Sequence, residues 1–345
     1  MTDHSKTSAH ISLPDLGWSD FFANQVGADE TQFIPARIAT IHRARLTAIC
    51  AGGAVELTLA HTVRTGDFTV GDWVLADPES LLLHRRLERR TALERRTEGS
   101  KTPQLAGANI DTLFIVTSCN ADFNPARLER YLALVNESGA EPVILLTKPD
   151  LADDLDVFVR QAEALQRGLA VRVVKPREPE SAALLAPWCG DGRTVALIGS
   201  SGVGKSTLVN TLAGANLDAP QLTGSIREHD AKGRHTTTAR SLHPMAQGGW
   251  VIDTPGMRTL HVSDAAHGIG TLFAEITELA PFCRFRDCTH EQEPGCAVQA
   301  AIAEGALDPE RLARWRKLLD ENRVNTPETS GPRGSSPPGG RGRRR

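Results

Sequence analysis

Residues 199–207 read GSSGVGKST, and this stretch determines the class of fold. It fits the pattern G-x-x-x-x-G-K-[ST], in which a glycine-rich loop joins a buried strand to a helix. The apolar run TVALIG at 194–199 precedes it, and residues 205–212 have the pattern of a helix. Glycines in the loop let backbone N–H groups turn inward around phosphate oxygens. The sequence therefore predicts a nucleoside triphosphate site.

The loop supplies contacts of two chemical kinds. Lys205 is expected to reach the β- and γ-phosphates and to act in hydrolysis, and the Ser206 hydroxyl to ligate Mg²⁺. The residues of the loop predicted to bind nucleotide are Gly199, Ser200, Ser201, Gly202, Val203, Gly204, Lys205, Ser206 and Thr207.

A second motif, upstream, indicates which base is bound. Thr147, Lys148, Pro149 and Asp150 follow the apolar run PVILL and resemble the [NT]-K-x-D motif of GTPases. The aspartate would accept two hydrogen bonds from guanine that adenine cannot donate. With ATP the carboxylate would stay unpaired, which would weaken the binding free energy of ATP by several kcal/mol. K-P-D alone is also an ordinary turn. Its place after a strand of a parallel sheet favours the ligand site.

The magnesium and γ-phosphate contacts are expected downstream of the glycine loop. D-T-P-G resembles D-x-x-G, so Asp253 would hold Mg²⁺ through water and the Gly256 N–H would sense the γ-phosphate. Within GRHTTT we favour Thr237 as the residue that closes on Mg²⁺ and γ-phosphate, with its neighbours left open. Met257 stands where many GTPases carry a water-positioning Gln, which predicts slow unassisted turnover. His235 is a candidate substitute.

The order of these motifs implies a circular permutation. The base motif precedes the glycine loop, whereas in most GTPases it follows D-x-x-G. A sheet tolerates this rearrangement because chain termini often lie close together at the surface. The switch segments then run directly into a cysteine-rich stretch, and we hypothesise that nucleotide state is communicated to it.

Four metal-binding side chains crowd that stretch. The spacing Cys283-x4-Cys288-x-His290-x5-Cys296 supplies three thiols and an imidazole. Such a set suits tetrahedral Zn²⁺ and leaves no open position, so we predict one structural zinc ion. Buried cysteines beside a surface histidine are the alternative, and a disulfide fits a cytosolic chain less well.

The predicted class is α/β. A circularly permuted P-loop GTPase domain (99–275), with strands alternating with helices as in a parallel sheet, follows a small all-β barrel (31–98). The pattern of the barrel fits an OB-fold and an SH3-like barrel equally. A mostly helical zinc domain with a C-terminal helix (276–325) comes next. We expect a flexible lead (1–30) and a disordered basic tail (326–345).

The composition and charge of the chain bear on its location and on its partners. The net charge is −3, no apolar run is long enough to span a membrane, and the N-terminus lacks the pattern of a secretory signal, so we expect a cytoplasmic monomer without membrane contact. A basic cluster at 84–101 is expected to neutralise RNA phosphates. Aromatic residues are only 5%, so base stacking is not conspicuous.

Together these motifs resemble the ribosome small subunit-dependent GTPase A family over residues 33–324. Supporting stretches are GDWV at 71–74, ANID at 108–111 and FNPARLERY at 123–131. The resemblance implies a GTPase in late maturation of the small ribosomal subunit, stimulated by that subunit, with bound GTP or GDP. It also implies that the barrel and the zinc domain contact ribosomal RNA.

The sequence departs from the usual GTPase motifs at two places, and two other functions are alternatives to a GTPase. Thr147 stands where Asn is common, so we expect the loss of an amide that ties this motif to the glycine loop. No S-A-K-type motif follows 171–174, so one base contact is unassigned. A nucleic-acid-binding module with a vestigial nucleotide site is disfavoured by the set Lys205, Ser206 and Asp253. A metabolic P-loop kinase or ATPase is disfavoured by Asp150.

Overall fold

A computed structural model describes residues 11–42, 45–95, 104–214, 240–253 and 262–326. The candidate residues Thr237, His235 and Gly256 and the predicted tail beyond Thr326 lie outside these ranges, as do residues 96–101 of the basic cluster.

The first five strands are antiparallel. They are β1 (Ile34–His42), β2 (Arg45–Cys50), β3 (Gly53–Leu57), β4 (Trp73–Ala76) and β5 (Leu83–Arg86). β1 pairs with both β2 and β4, β3 extends from β2, and β5 extends from β4. A bridge between Thr58 and Leu82 connects the two ends, and Ile38, Leu46 and Val74 are buried inside. These strands fit the expected OB-like barrel.

A hairpin leads from the barrel into the next domain. It consists of β6 (Ala92–Arg95) and β7 (Gln104–Ala108), paired antiparallel. Leu93, Ala106 and Ile110 are buried in a core shared with the helices that follow. The hairpin therefore packs on the GTPase domain although half of it falls within the predicted barrel.

The predicted parallel sheet is confirmed. Its strands are β8 (Thr112–Ser118), β9 (Glu141–Thr147), β10 (Ala170–Val173), β11 (Thr194–Gly199), β12 (Ser241–Met245) and β13 (Gly249–Asp253). The order β10-β9-β8-β11-β13 is parallel throughout. β12 is antiparallel to β13 because a tight turn joins them, and it meets the barrel where Thr40 pairs with Ser241. Near-continuous burial of β8, β9 and β11 follows from covering on both faces.

Nine α-helices are found in the described residues: α1 (Asp20–Ala23), α2 (Pro125–Ser138), α3 (Leu155–Glu163), α4 (Glu180–Cys189), α5 (Lys205–Ala213), α6 (Ala266–Leu272), α7 (Ala274–Leu279), α8 (Ala297–Ala303) and α9 (Pro309–Asn325). Their ends follow capping rules. The Asn124 side chain accepts a hydrogen bond from the N–H of Arg127 at 3.0 Å, and Gly139 in the left-handed region ends α2.

The predicted flexible lead is wrong for residues 11–30. Leu16 and Phe22 are almost fully buried. Trp250 donates its indole N–H to the Asp15 carbonyl at 2.7 Å. The buried Arg37 side chain donates to the carbonyl of Leu16 at 2.7 Å and to the Thr194 hydroxyl at 2.7 Å. This segment fills the junction between the barrel and the sheet, so its apolar side chains leave water.

No helix in the described part of the chain combines the length and the apolar character needed to cross a membrane.

Candidate nucleotide site and candidate metal centre

The glycines of the 199–207 loop are required by space and by backbone angle. At Gly199 φ is 141°, and a Cβ there would lie 2.1 Å from the Val116 carbonyl oxygen of the neighbouring strand β8. At Gly204 φ is 101°, and a Cβ would lie 3.0 Å from Cγ of Pro176. Any larger residue at Gly199 would push the loop away from the sheet. The loop therefore starts in contact with β8 and turns into α5.

Lys205 points back into this loop. Its Nζ donates to the carbonyl oxygen of Gly199 at 2.7 Å and also to that of Ser200. The ammonium group is therefore held inside the turn made by the loop, where it adds a full positive charge to the partial charges of the N–H groups at the start of α5. This is the electrostatic environment that phosphate oxygens require.

The base motif is tied to the glycine loop after all. Thr147 is fully buried, and its hydroxyl donates to the carbonyl oxygen of Val203 at 2.7 Å, with the Thr117 carbonyl at 3.1 Å. The expectation that replacing Asn by Thr loses this link is wrong, because a hydroxyl on the last residue of β9 reaches the same loop. The two motifs, distant in sequence, are joined by one buried hydrogen bond.

The rest of the base motif lies at the edge of the sheet. Lys148 adopts a left-handed conformation with φ of 54°, which ends β9 and turns the chain outward. Asp150 is exposed. Burial raises the pKa of the neighbouring Cys119 thiol to about 11, and the charge of Asp150 adds to the shift. Asp150 therefore stands beside the carboxyl end of β8, and its oxygens are open to a ligand.

A third segment borders the same place. Residues 174–176 follow β10, and Pro176 is the residue that crowds Gly204. The Ser181 hydroxyl accepts the Lys175 N–H at 3.1 Å and donates to its carbonyl at 2.7 Å. Thr211 also donates to the Pro176 carbonyl. Sequence analysis left this side of the site unassigned because Val-Lys-Pro matches no base-contact motif; only its position after a parallel strand indicated it.

Oxygen ligands suited to Mg²⁺ lie at the same edge. Ser206 opens α5 and is exposed, and Asp253 ends β13, the strand that pairs with β11. Hydroxyl and carboxylate oxygens are the ligands that Mg²⁺ prefers. The donor set therefore fits the ion, with Gly256 and Thr237 outside the described residues.

The four predicted metal ligands converge. The ligand atoms of Cys283, Cys288, His290 and Cys296 all lie within 4.8 Å of one another. Nδ1 of His290 is 3.5 Å from the Cys283 sulfur and 3.4 Å from the Cys296 sulfur. Gly295, with φ of 78°, makes the turn that returns the chain to Cys296. Three sulfurs and one nitrogen at these separations fit a tetrahedral ion such as Zn²⁺.

The protonation of these groups supports a cation. Burial lowers the pKa of His290, which favours the neutral imidazole that a metal requires. Burial, with the adjacent Cys296 and Cys283, raises the pKa of Cys288 to about 11. Burial opposes ionisation of Cys283 too, but hydrogen bonds from the Ala297 and Val298 N–H groups and from the other two thiols lower its pKa, and a metal ion requires such thiolate ligands. The arrangement is therefore that of a metal centre more than of three independent cysteines.

Helices α8 and α9 hold the histidine ligand. The His290 carbonyl accepts hydrogen bonds from the side chains of Gln299 on α8 and Arg316 on α9. The Trp315 ring lies 5.6 Å from the imidazole. These three supporting residues were missed by sequence analysis, since none of them belongs to a ligand motif.

Helix α9 also reaches the segment after D-T-P-G. Asn322 accepts the N–H of Ala265 at 2.9 Å, and Asn325 donates to the Val262 carbonyl at 3.1 Å. Thr326 accepts the N–H of Asp264 at 2.8 Å. One helix therefore contacts both the metal centre and the exit of the predicted switch segment.

Among the arginines of the basic cluster whose side chains the structure describes, three form ion pairs within the chain. Arg85 pairs with Glu30 at 2.6 Å, Arg89 pairs with the buried Asp72 at 2.6 Å, and Arg90 pairs with Asp111. These three arginines are therefore not free charges, although the side chains of Arg85 and Arg90 remain 36% and 39% exposed. Their pairing holds the N-terminal segment, the barrel and the sheet together.

Comparison with known proteins gives three results. The sequence model of the RsgA GTPase family matches residues 86–263. "Small ribosomal subunit biogenesis GTPase RsgA" of Mesorhizobium japonicum is 67% identical over 98% of each chain. "Small ribosomal subunit biogenesis GTPase RsgA 2" of Vibrio vulnificus is 48% identical over 92% of this chain and 90% of the relative.

Two crystal structures share the fold. YjeQ from Thermotoga maritima superposes with a TM-score of 0.63 at 24% identity, covering 84% of this chain and 98% of that one. YloQ, described as a circularly permuted GTPase, gives 0.62 at 23% identity, covering 87% and 99%. The architecture, the order of the motifs and the full-length similarity agree, and the chain belongs to the RsgA GTPase family.

Proposed function

We propose that this protein is a Mg²⁺-dependent, guanine-specific GTPase that acts as an assembly factor in late maturation of the small ribosomal subunit. One observation carries the proposal: the buried hydrogen bond from Thr147 to Val203 joins the base motif to the phosphate loop. The names of the relatives, which refer to small ribosomal subunit biogenesis, support the choice of particle.

Base selection rests on Asp150. Its carboxylate would accept hydrogen bonds from the N1 and exocyclic amino groups of guanine, with the Lys148 stem along the base and Pro149 shaping the turn. Adenine offers neither donor on that edge, so ATP would leave the carboxylate unpaired. The exposed position of Asp150 at the end of β9 agrees with this role.

Phosphate binding rests on the start of α5. Gly199–Gly204 would present N–H groups, Lys205 would neutralise the β- and γ-phosphates, and Ser206 and Thr207 would complete the loop. Ser206, Asp253 and Thr237 would hold Mg²⁺, which supplies charge neutralisation when bound. Gly256 would sense the γ-phosphate, and His235 would position water.

The metal centre has a structural role in the proposal. Cys283, Cys288, His290 and Cys296 would hold one Zn²⁺ in a closed set, with no position for a substrate. We expect one zinc ion per chain by elemental analysis. Replacing Cys288 by Ser should lower this value and loosen residues 283–296, as measured by hydrogen exchange.

The proposed partners are the small ribosomal subunit and its RNA, contacted by the barrel and the zinc domain of a cytoplasmic monomer. GTP hydrolysis at fixed salt, with purified small subunits titrated in, tests this proposal. We expect stimulation that saturates with small subunits, none with large subunits, and none in Lys205→Ala. Equal rates with and without small subunits would contradict it.

A further inference from the structure

The zinc domain exposes two aromatic side chains that the folding of the chain does not use. Phe282 is 77% exposed and Phe285 is 42% exposed. Phenylalanine is ordinarily buried, and its large apolar surface is costly to leave in water. The two lie on either side of Cys283, at the start of the metal centre. A contact with another molecule would explain their exposure.

Their positions are held by the backbone around the metal centre. Cys283 donates its N–H to the Ala280 carbonyl at 3.1 Å, and Arg284 donates its N–H to the Gly295 carbonyl at 3.0 Å. The Phe285 carbonyl accepts the N–H of Cys288 at 3.3 Å. Two candidate metal ligands, Cys283 and Cys288, bound the loop. The rings therefore project from an ordered turn.

Positive charge accompanies the rings. Arg284 and Arg286 are exposed, and the guanidinium of Arg284 lies 5.5 Å from the centre of the Phe285 ring. Asp287 is the one carboxylate between Cys283 and Cys288. The nearby Glu293 carboxylate is occupied, since it accepts the N–H groups of Thr289 and Glu291.

We propose that Phe282 and Phe285 stack on unpaired RNA bases while Arg284 and Arg286 contact the adjoining phosphates. Aromatic faces with interleaved arginines are the usual means of holding single-stranded nucleic acid, because every base offers a π-face. A purely apolar protein groove would accept the rings but not the two guanidinium groups. The inference rests on the proposed function for the choice of RNA. It assigns the RNA contact of the zinc domain to particular residues.

The test measures binding of the full-length, zinc-loaded chain to RNA. The probe is a single-stranded RNA of mixed sequence that carries 2-aminopurine, whose fluorescence is quenched on stacking, and the same RNA as a duplex. We expect the single strand to bind more tightly and to be quenched. Phe282→Ala with Phe285→Ala should weaken binding about tenfold or more. Phe282→Trp with Phe285→Trp should retain it.

Two controls make the result specific. Phe21→Ala removes a ring that is 40% exposed elsewhere and should leave RNA binding unchanged. Arg284→Gln with Arg286→Gln should lower the slope of log affinity against log salt by about 1.4, the value for two phosphate contacts. Zinc content and unassisted GTP hydrolysis verify that each variant is folded.

Three outcomes would overturn the inference. The first is that the double Phe→Ala variant binds RNA as tightly as the wild type. The second is that Phe21→Ala weakens RNA binding as much as the double variant does. The third is that the double variant no longer binds small subunits but binds protein-free ribosomal RNA as tightly as the wild type does. The last outcome would assign the face to a ribosomal protein. Failure of the proposed function is separate, because it would appear as wild-type hydrolysis that small subunits do not stimulate.

Discussion

The Asn322 side chain accepts a hydrogen bond from the backbone N–H of Ala265 at 2.9 Å, which ties α9 to the segment that follows D-T-P-G. Two turns earlier on the same helix, Arg316 donates to the carbonyl of the candidate metal ligand His290. A helix held at both places provides a physical route by which the predicted switch and the zinc domain are coupled. The coupling hypothesis from motif order thereby gains specific contacts.

Replacing Asn322 by Ala should weaken this coupling. Loss of the acceptor leaves a part-buried N–H unpaired, which costs about 1–3 kcal/mol locally. In the wild type we expect hydrogen exchange at residues 283–296 to differ between GTP- and GDP-bound protein, and in the variant this difference should shrink. Arg323→Ala, on an exposed neighbour, is the control. Identical exchange with both nucleotides in the wild type would rule out the hypothesis.

Replacing Arg311 by Met should destabilise the packing of α9 on α2. Arg311 is buried and donates to Glu129 at 2.8 Å, to Glu275 at 2.7 Å and to two backbone carbonyls. Within the described residues, removing Arg311 takes from Glu275 its ion-pair partner and leaves the buried Glu129 with Arg314 alone, at 2.9 Å. Because breaking a buried pair outright costs about 3–5 kcal/mol, we expect a loss below that range. The midpoint of thermal unfolding should fall by several degrees, whereas Lys317→Met on an exposed part of α9 should not change it.

A second substitution shows whether Arg311→Met destabilises the protein through the charge of Glu129 or through lost packing. Adding Glu129→Gln to Arg311→Met removes the buried carboxylate that would otherwise keep only Arg314 as its partner, and should restore part of the stability. Absence of any recovery would mean that the ion pair is not what Arg311 contributes.

Replacing Thr147 by Val should weaken nucleotide binding. Valine has nearly the same shape but no hydroxyl, so the buried Val203 carbonyl loses its partner, at about 1–3 kcal/mol. Affinity for a fluorescent GDP analogue should fall about fivefold to a hundredfold. Thr147→Ser keeps the hydroxyl and should bind nearly as well as the wild type. Full affinity in Thr147→Val, or a loss in Thr147→Ser alone, would show that the hydrogen bond is not what the side chain contributes.

The Glu30 side chain makes stability depend on pH. Hydrogen bonds from Arg85 and from the Gly27 N–H lower the pKa of Glu30 from 4.5 to about 2. A carboxyl whose pKa is lowered on folding contributes stability above its unfolded pKa and loses it as pH falls through the folded value. The difference in unfolding free energy between the wild type and Glu30→Gln should have its largest value above about pH 4.5 and should decrease towards pH 2. Glu56→Gln, in an exposed pair, should show a smaller difference. A difference independent of pH would contradict this origin.

The sequence alone was sufficient to predict a site where the chemistry of a ligand fixes the spacing of the residues that bind it. The glycine loop lies between β11 and α5, T-K-P-D begins at the end of β9, and the four candidate metal ligands converge. Each of these positions was expected because phosphate, base and tetrahedral metal each require particular residues at particular intervals. The strands next to these motifs followed from their apolar runs.

Features created by tertiary packing were not predictable in this way. Residues 11–30 lack periodicity, yet Leu16 and Phe22 are buried because they fill a junction between two domains. The charge-rich pattern of α9 is typical of an exposed helix, yet Arg311 is buried by its carboxylate partners. The ion pairs of Arg85 in β5 and of Arg90 after it could not be foreseen, because their acidic partners, Glu30 and Asp111, are distant in sequence.

The most direct test of the account is small-subunit-stimulated hydrolysis of xanthosine triphosphate by Asp150→Asn. An amide donates where the carboxylate accepts, so the variant should lose GTP affinity by about a hundredfold or more and gain activity with the xanthine nucleotide. We predict that small subunits stimulate the variant with xanthosine triphosphate and not with GTP, and the wild type in the opposite sense. A variant that retains wild-type GTP hydrolysis and gains none with xanthosine triphosphate would contradict the assignment of Thr147–Asp150 as the base site.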